Sequence, residues 1–195
     1  NRPRSGAYKY RDAVIKALNA DMPFDEFVTA QVASQSGSGR FEFADDLAQF
    51  PHLGTSLEDS DNPNEKMFHR LDDMVSATGS AFLGMTIGCA RCHDHKIDPI
   101  PAEDYYRLTA VYFDLAKVKP QAGKRRVELK FSEPHLLAGG SWKRPVRNVT
   151  PGFVTVLMRG GRKSESWLNS KKVTGEARSN LSLIHISEPT RPRLI

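Results

Sequence analysis

The strongest constraint on this chain is the run Cys89-Ala90-Arg91-Cys92-His93, which contains both cysteines of the 195-residue sequence. Two thiols three residues apart can each add to a vinyl group of haem. A histidine directly after the second is then held where its imidazole reaches the iron as proximal ligand. The surrounding chain is organised around these three side chains, from Ala81 to Tyr106. Cys89, Cys92 and His93 are therefore the candidate cofactor-binding residues, with haem c as the cofactor. The same residues admit other chemistries. Two thiolates with imidazoles from His93 or His95 make a structural zinc site, since zinc takes four such ligands in a tetrahedron. A Cys-x-x-Cys pair can also be a redox dithiol activated by local positive charge, or a plain disulfide.

A haem iron has a second axial position, taken by a protein side chain or left as a site for a small molecule. His95 is too close to His93 in sequence to cross to the other face, and Met85 is tightly tethered. His52, His69, Met67, Met74 and His135 remain, and His69 is the first choice because it sits on the helix that leads into the motif. Asp94, Lys96 and Asp98 are placed to orient the histidines through hydrogen bonds or to form a solvated turn. Tyr105 and Tyr106 read as core and rim residues. Asn148-Val149-Thr150 has the form of a glycosylation sequon and nothing more. No nucleotide-binding glycine loop, nucleophile elbow or Ser/His/Asp pattern is present.

Hydrophobic periodicity gives the elements. Tyr8 to Asn19 is predicted as a helix with Val14, Ile15 and Leu18 on its apolar side, ended by Asp21-Met22-Pro23. A second helix starts near Pro23, with Asp25 and Glu26 in its first turn and Phe24, Phe27, Val28 and Val32 as its stripe. Residues 34–40 are a flexible connection, and 41–60 a loop with one short helix. Asn62-Pro63-Asn64-Glu65 starts a third helix, with Asn62 as cap and Glu65 closing a capping box. Its apolar positions are Met67, Phe68, Leu71, Met74, Val75, Phe82 and Leu83. It is predicted to run to about Met85 and to deliver the chain to Cys89, with Gly79 and Gly84 permitting a close approach. After Pro99 and Pro101 a fourth helix runs to Ala116 and buries Tyr105, Leu108, Val111 and Tyr112. Beyond it, Arg126 to Phe131 and Phe153 to Met158 alternate as strands do.

Charge marks a second organisation. Residues 1–116 carry a net charge of −7 and residues 117–180 a net charge of +11. A shift this sharp predicts a module boundary near Lys117 to Lys124. No nucleic-acid motif accompanies the basic stretch, so it is expected to dock on the acidic half or on other parts of a larger protein. No apolar run approaches the length of a membrane span. The chain begins without methionine, like the middle of a longer reading frame, so the lack of a signal segment says nothing about compartment. The tail from Leu181, LSLIHISEPTR, resembles a translation of the transposon-end adapter used in shotgun DNA libraries. Residues 181–195 are accordingly set apart from the native chain, and His185 with them.

The runs YRDAVIKALNADMPFDEFVTAQ and LDDMVSATGSAFLGMTIGCARCHDHKIDPIPAEDYYRL together resemble the planctomycete cytochrome C-like domain, type 2, over residues 1–116. The match is densest around GCARCHDHKIDPI. LLAGGSWKRPVRNVTPGFVTVL resembles the segment leading into the domain of unknown function that usually follows, and TGEARSN that domain's opening. SQSGSGRFEFADDLAQFPHLG departs from the family, standing where its members carry a Leu-Ala-Gly-Asp stretch. The resemblance implies a large, exported, multidomain protein, periplasmic or secreted, often with a separate cytochrome c domain ahead. The family's activity is not established, so the resemblance supplies no catalytic residue.

The expectation is a mainly α fold: a small helical haem- or metal-associated domain over 1–116, then a short β-containing, loop-rich basic segment over 117–180. Its expected function is an exported c-type haem module for electron transfer, working with other domains of its own protein and a redox partner. The alternatives are a zinc-stapled structural or binding module and part of a haem oxidoreductase or degradative enzyme.

Overall fold

Asp21, at φ 49°, takes the left-handed conformation that ends the first helix, and Pro23 then fixes the extended entry to the second. The computed structural model describes residues 6–33, 41–54, 60, 62–116 and 132–158, which form two compact units divided after Leu53. In the first unit α1 spans Ala7–Asn19, α2 Phe24–Val32 and α3 Ala44–Leu47, followed by a 3-10 turn at Phe50–His52. Pro23 is the residue before α2, one position earlier than its expected place in the first turn.

The buried side of α1 is not the one its large apolar residues suggest. Ala13 and Ala17 are buried, while Ile15 and Leu18 are 50% and 70% exposed. Val14 packs only partly, beside Tyr10. Small side chains let α1 approach α3 closely, and Ala13, Ala17, Ala30, Ala44 and Leu47 make a tight core there. Phe24 is likewise exposed. The buried Gln31 accepts from the Tyr10 hydroxyl at 2.6 Å and donates to the Phe27 carbonyl, which satisfies a polar group inside this core.

The second unit is built on α4, Pro63–Thr78, packed against α5, Ala102–Ala116. Asn62 caps α4 by accepting from the Asn64 N–H at 3.0 Å. The reciprocal half of the expected capping box is relayed. Glu65 accepts from the Ser60 hydroxyl, and Ser60 in turn accepts from the Asn62 N–H. Asn62→Ala is expected to lower stability by about 1 kcal/mol, measured by urea unfolding. Met67, Leu71, Met74 and Val75 face Leu108, Val111 and Tyr112 across the interface, as the periodicity predicts. At its far end Thr78 and Tyr112 share a hydrogen bond between hydroxyls at 2.9 Å.

The third predicted helix stops short of Met85. It widens into a π-turn over Gly79–Leu83 and ends at Gly84, whose φ of 63° is left-handed. Gly79 does allow a close approach, of the Ile87 side chain. Beyond α5, the strands are also displaced from their predicted place. Phe153 to Met158 is extended chain with a 3-10 turn at Thr155–Leu157. The strand pair is instead β1, His135–Leu137, antiparallel to β2, Pro145–Asn148, with a register irregularity after Leu136. Phe153 does not alternate within a sheet; it is buried in the unit's core beside Val154, while Gly152 N–H donates to the Arg107 carbonyl at 3.2 Å. The expected connection at 34–40, the strand at 126–131, the boundary near 117–124 and the tail at 181–195 lie outside the described residues.

Candidate functional site

The motif sits on a 3-10 helix, Ile87–Arg91, with Cys92 as its last, capping residue. Side chains three apart eclipse in such a helix. Ile87 and Ala90 are therefore buried together toward α4 and α5, while Cys89 and Cys92 both face outward as free, exposed thiols. The Cys-x-x-Cys spacing and the tight helix thus put the two sulfurs on one side of the protein.

His93 follows, exposed, with Nδ1 2.7 Å from the Asp94 carbonyl oxygen. A carbonyl only accepts, so Nδ1 carries a proton, and in the neutral ring it is Nε2 that has the lone pair. His95 is arranged in the opposite way. Its side chain is 6% exposed. Nδ1 accepts from the Asp98 N–H at 2.8 Å and more weakly from the Ile97 N–H, and Nε2 meets the Thr86 hydroxyl at 3.0 Å. Both ring nitrogens are thus committed, Nδ1 within the loop and Nε2 to Thr86 at the start of the motif's helix, and the loop's ends close through the His95 N–H to the Ile100 carbonyl. Asp94 joins the loop to α5, its carboxylate accepting from the first N–H of the helix, that of Ala102. Asp98 orients His95 chiefly through its backbone.

A polar network missed in the sequence holds the motif from behind. Arg91, between the two cysteines, donates to Asp72 of α4 at 3.0 Å and to the Gly140 carbonyl at 3.2 Å. The Tyr105 hydroxyl donates to the other oxygen of Asp72, and the Tyr106 hydroxyl to the Arg91 carbonyl, each at 2.7 Å. Burial pushes both tyrosine hydroxyls well above their ordinary pKa, so they remain neutral donors. Burial alone would weaken the charge on Arg91, but Asp72 beside it outweighs that and keeps the guanidinium cationic. An arginine inside Cys-x-x-Cys was the one available clue, and nothing in the sequence named Asp72 as its partner.

The first turn of α5 carries a second ion cluster, centred on Glu103. Glu103 accepts from Arg147 at 2.7 Å and from Arg107 at 2.6 Å, so the basic segment does dock on an acidic one here. The hydrogen bond from Arg147, ahead of that from Arg107, holds the Glu103 carboxyl below its usual range despite some opposing burial. A lowered carboxylate contributes stability above its ordinary pKa and loses it as pH falls through the lowered value. Glu103 is a third exposed, so solvent screening leaves an effect of only about 0.5 kcal/mol. Glu103→Gln should therefore reduce urea stability slightly at pH 7 and match the parent at pH 3.

Of the other candidate ligands, Met67 and Met74 belong to the α4–α5 core, 0% and 2% exposed. His52 lies in the first unit, on the 3-10 turn Phe50–His52, and His135 on β1 donates from Nδ1 to the Glu133 carbonyl. His69 is on α4, one turn before Asp72, and its buried Nδ1 has no hydrogen-bond partner. Cys89, Cys92, His93 and His95 are not gathered as a metal set: among the described residues no three or more His, Cys, Asp or Glu side chains converge on one point. Two outward thiols and the adjacent imidazole of His93 fit a covalently held haem.

Among the described residues no helix is long and apolar enough to cross a membrane. The family model PSCyt2, described as a protein of unknown function (DUF1549), matches residues 1–117. No curated protein and no solved structure matches the chain. The chain belongs to the PSCyt2 family, the one its motif region resembles.

Proposed function

We propose that this PSCyt2 member is a c-type haem-binding module that transfers electrons within a larger exported protein. The observation that carries the proposal is the state of His93. Its Nδ1 proton is engaged by the Asp94 carbonyl, directly beside two free thiols exposed on one side of a 3-10 helix. This is the tautomer an axial imidazole needs, and a hydrogen bond at Nδ1 makes Nε2 a better donor. Cys89 and Cys92 would hold the group by thioethers, and His93 would ligate through Nε2. Haem, when bound, supplies a reversible one-electron change at iron. The chain's own residues fix the anchor. Arg91, Asp72 and Tyr105 tie the motif to α4 and α5, His95 sets the following loop, and Asp94 pins that loop to the start of α5. Such a rigid anchor would fix where the group is held.

His69 would be the second protein ligand, the candidate on α4 whose Nδ1 is buried without a hydrogen-bond partner. Thioether formation takes reduced thiols and exported maturation machinery, so the working protein would lie in the periplasm or outside the cell. Its partners are then other domains of the same protein and a redox protein that meets the exposed motif. The test is expression of the full chain in a periplasm that matures c-type haem, followed by intact mass. One covalent haem per chain is expected, lost in Cys89→Ala/Cys92→Ala. His69→Ala should convert a low-spin spectrum to a high-spin one. A chain of unmodified mass overturns the proposal.

A further inference from the structure

The turn between β1 and β2 lies beyond the residues matched to the family, and it reaches the motif. Gly139 and Gly140 are both left-handed, with φ of 59° and 70°. A Cβ built on Gly140 would fall 2.7 Å from the Cys92 sulfur, closer than atoms can sit, and 3.2 Å from the Arg91 side chain, a tight contact. A Cβ on Gly139 would meet nothing within 4 Å. The turn is held there by three separate ties. The Arg91 guanidinium donates to the Gly140 carbonyl through Nη2 and, at 3.4 Å, through Nε. Arg147 on β2 pairs with Glu103 on α5, and β1 packs on α5.

We propose that the Gly139-Gly140 turn is a wall that sets the direction of the Cys92 sulfur, with Arg91 as its latch. Both act on the attachment chemistry through Cys92 and are positioning residues. The wall closes one side of Sγ with backbone, and the other side is exposed, so the thiol is directed outward before any partner arrives. Bond formation at a sulfur gains from such fixed geometry. The site is then composite: the motif comes from the family-matched region, and one boundary of it from the segment that follows. Glycine at 140 is what leaves Sγ in its present position, since a side chain there would displace it. The inference about the thiol stands on geometry alone; its consequence for attachment rests on the haem proposal above.

The test compares iodoacetamide labelling of Cys92 and Cys89 in the haem-free full chain, read peptide by peptide, with Cys89 as internal reference. In Gly140→Ala the added methyl must push Sγ away from the wall, and the open side is the only relief. The Cys92/Cys89 rate ratio is expected to rise by about fivefold, the factor that goes with roughly 1 kcal/mol. Gly139→Ala puts the same kind of residue at a positive φ without touching the sulfur, and the ratio should stay at the parent value. Arg91→Gln removes the latch without adding a methyl and should raise the ratio in the same direction, which keeps the test available if Gly140→Ala does not fold. An unchanged ratio in Gly140→Ala and Arg91→Gln overturns the wall. Equal changes in Gly139→Ala and Gly140→Ala overturn it too, since backbone strain would then be the cause. In haem-loaded protein, Gly140→Ala should retain the Cys89 thioether and lose that at Cys92. If the parent chain takes up no haem, the function proposal fails while the labelling ratio still decides this one.

Discussion

Phe153→Ala is expected to lower stability by about 3–5 kcal/mol, the usual range for deleting a buried aromatic ring. For a chain of this size that is a fall in midpoint of about 10 °C. Phe153 and Val154 are fully buried although they lie well past the last helix. The stretch is tied to α5 on both sides of the ring. Gly152 N–H reaches the Arg107 carbonyl, and Thr155 donates its N–H and its hydroxyl to the two oxygens of Asp104, at 2.7 and 2.8 Å. Burial raises the Asp104 carboxyl above its ordinary pKa even though Thr155 opposes this. A raised carboxyl makes the folded state less favoured as pH climbs from the ordinary value through the raised one. Its two hydrogen bonds are thus made against a desolvation cost, and the packing of Phe153 is what keeps the segment in place. Circular dichroism on heating reads the result. A variant that melts with the parent would mean that residues 132–158 contribute nothing to the core.

Asp72→Ala is the second large effect, expected at about 2–3 kcal/mol. The substitution leaves the buried Tyr105 hydroxyl without an acceptor and the half-buried Arg91 without its counter-charge. Asp72→Asn keeps an acceptor for Tyr105 but turns an NH2 group toward Arg91, so it loses the charge and the Arg91 hydrogen bond together and should cost about 1 kcal/mol. The order Ala worse than Asn, measured by urea unfolding, separates the Tyr105 hydrogen bond from the Arg91 ion pair. Equal losses would mean that the pairing with Arg91 alone matters. Because Arg91 lies inside the motif, Asp72→Ala should also make both cysteines label faster with iodoacetamide.

Much of this was legible in the sequence, and the failures have physical causes. The α4–α5 interface announced itself because Met67, Leu71, Met74, Leu108, Val111 and Tyr112 are large and recur at helical spacing. On α1 the same rule pointed to Ile15 and Leu18, since alanine carries little hydrophobic signal even where it does the packing. The stretch 153–158 alternates like a strand, yet its backbone bonds to α5, and the real strands of three and four residues are too short to show a period. Near the motif, spacing alone nominated Cys89, Cys92 and His93 as the candidates. It could not tell that His95 is spent inside its own loop, because that depends on N–H groups of residues 97 and 98 turning back onto the ring. Nor could it pair Arg91 with Asp72 and Gly140, which are distant along the chain and meet only once α4, α5 and the β1–β2 turn are packed.

The central claim is that Cys89 and Cys92 carry haem covalently. The most direct measurement is the reduced pyridine haemochrome of the full chain, purified after expression with c-type maturation machinery and then denatured. The account predicts a c-type absorption band that stays with the denatured polypeptide and vanishes in Cys89→Ala/Cys92→Ala. Absence of that band, with one zinc per chain by elemental analysis, would contradict it.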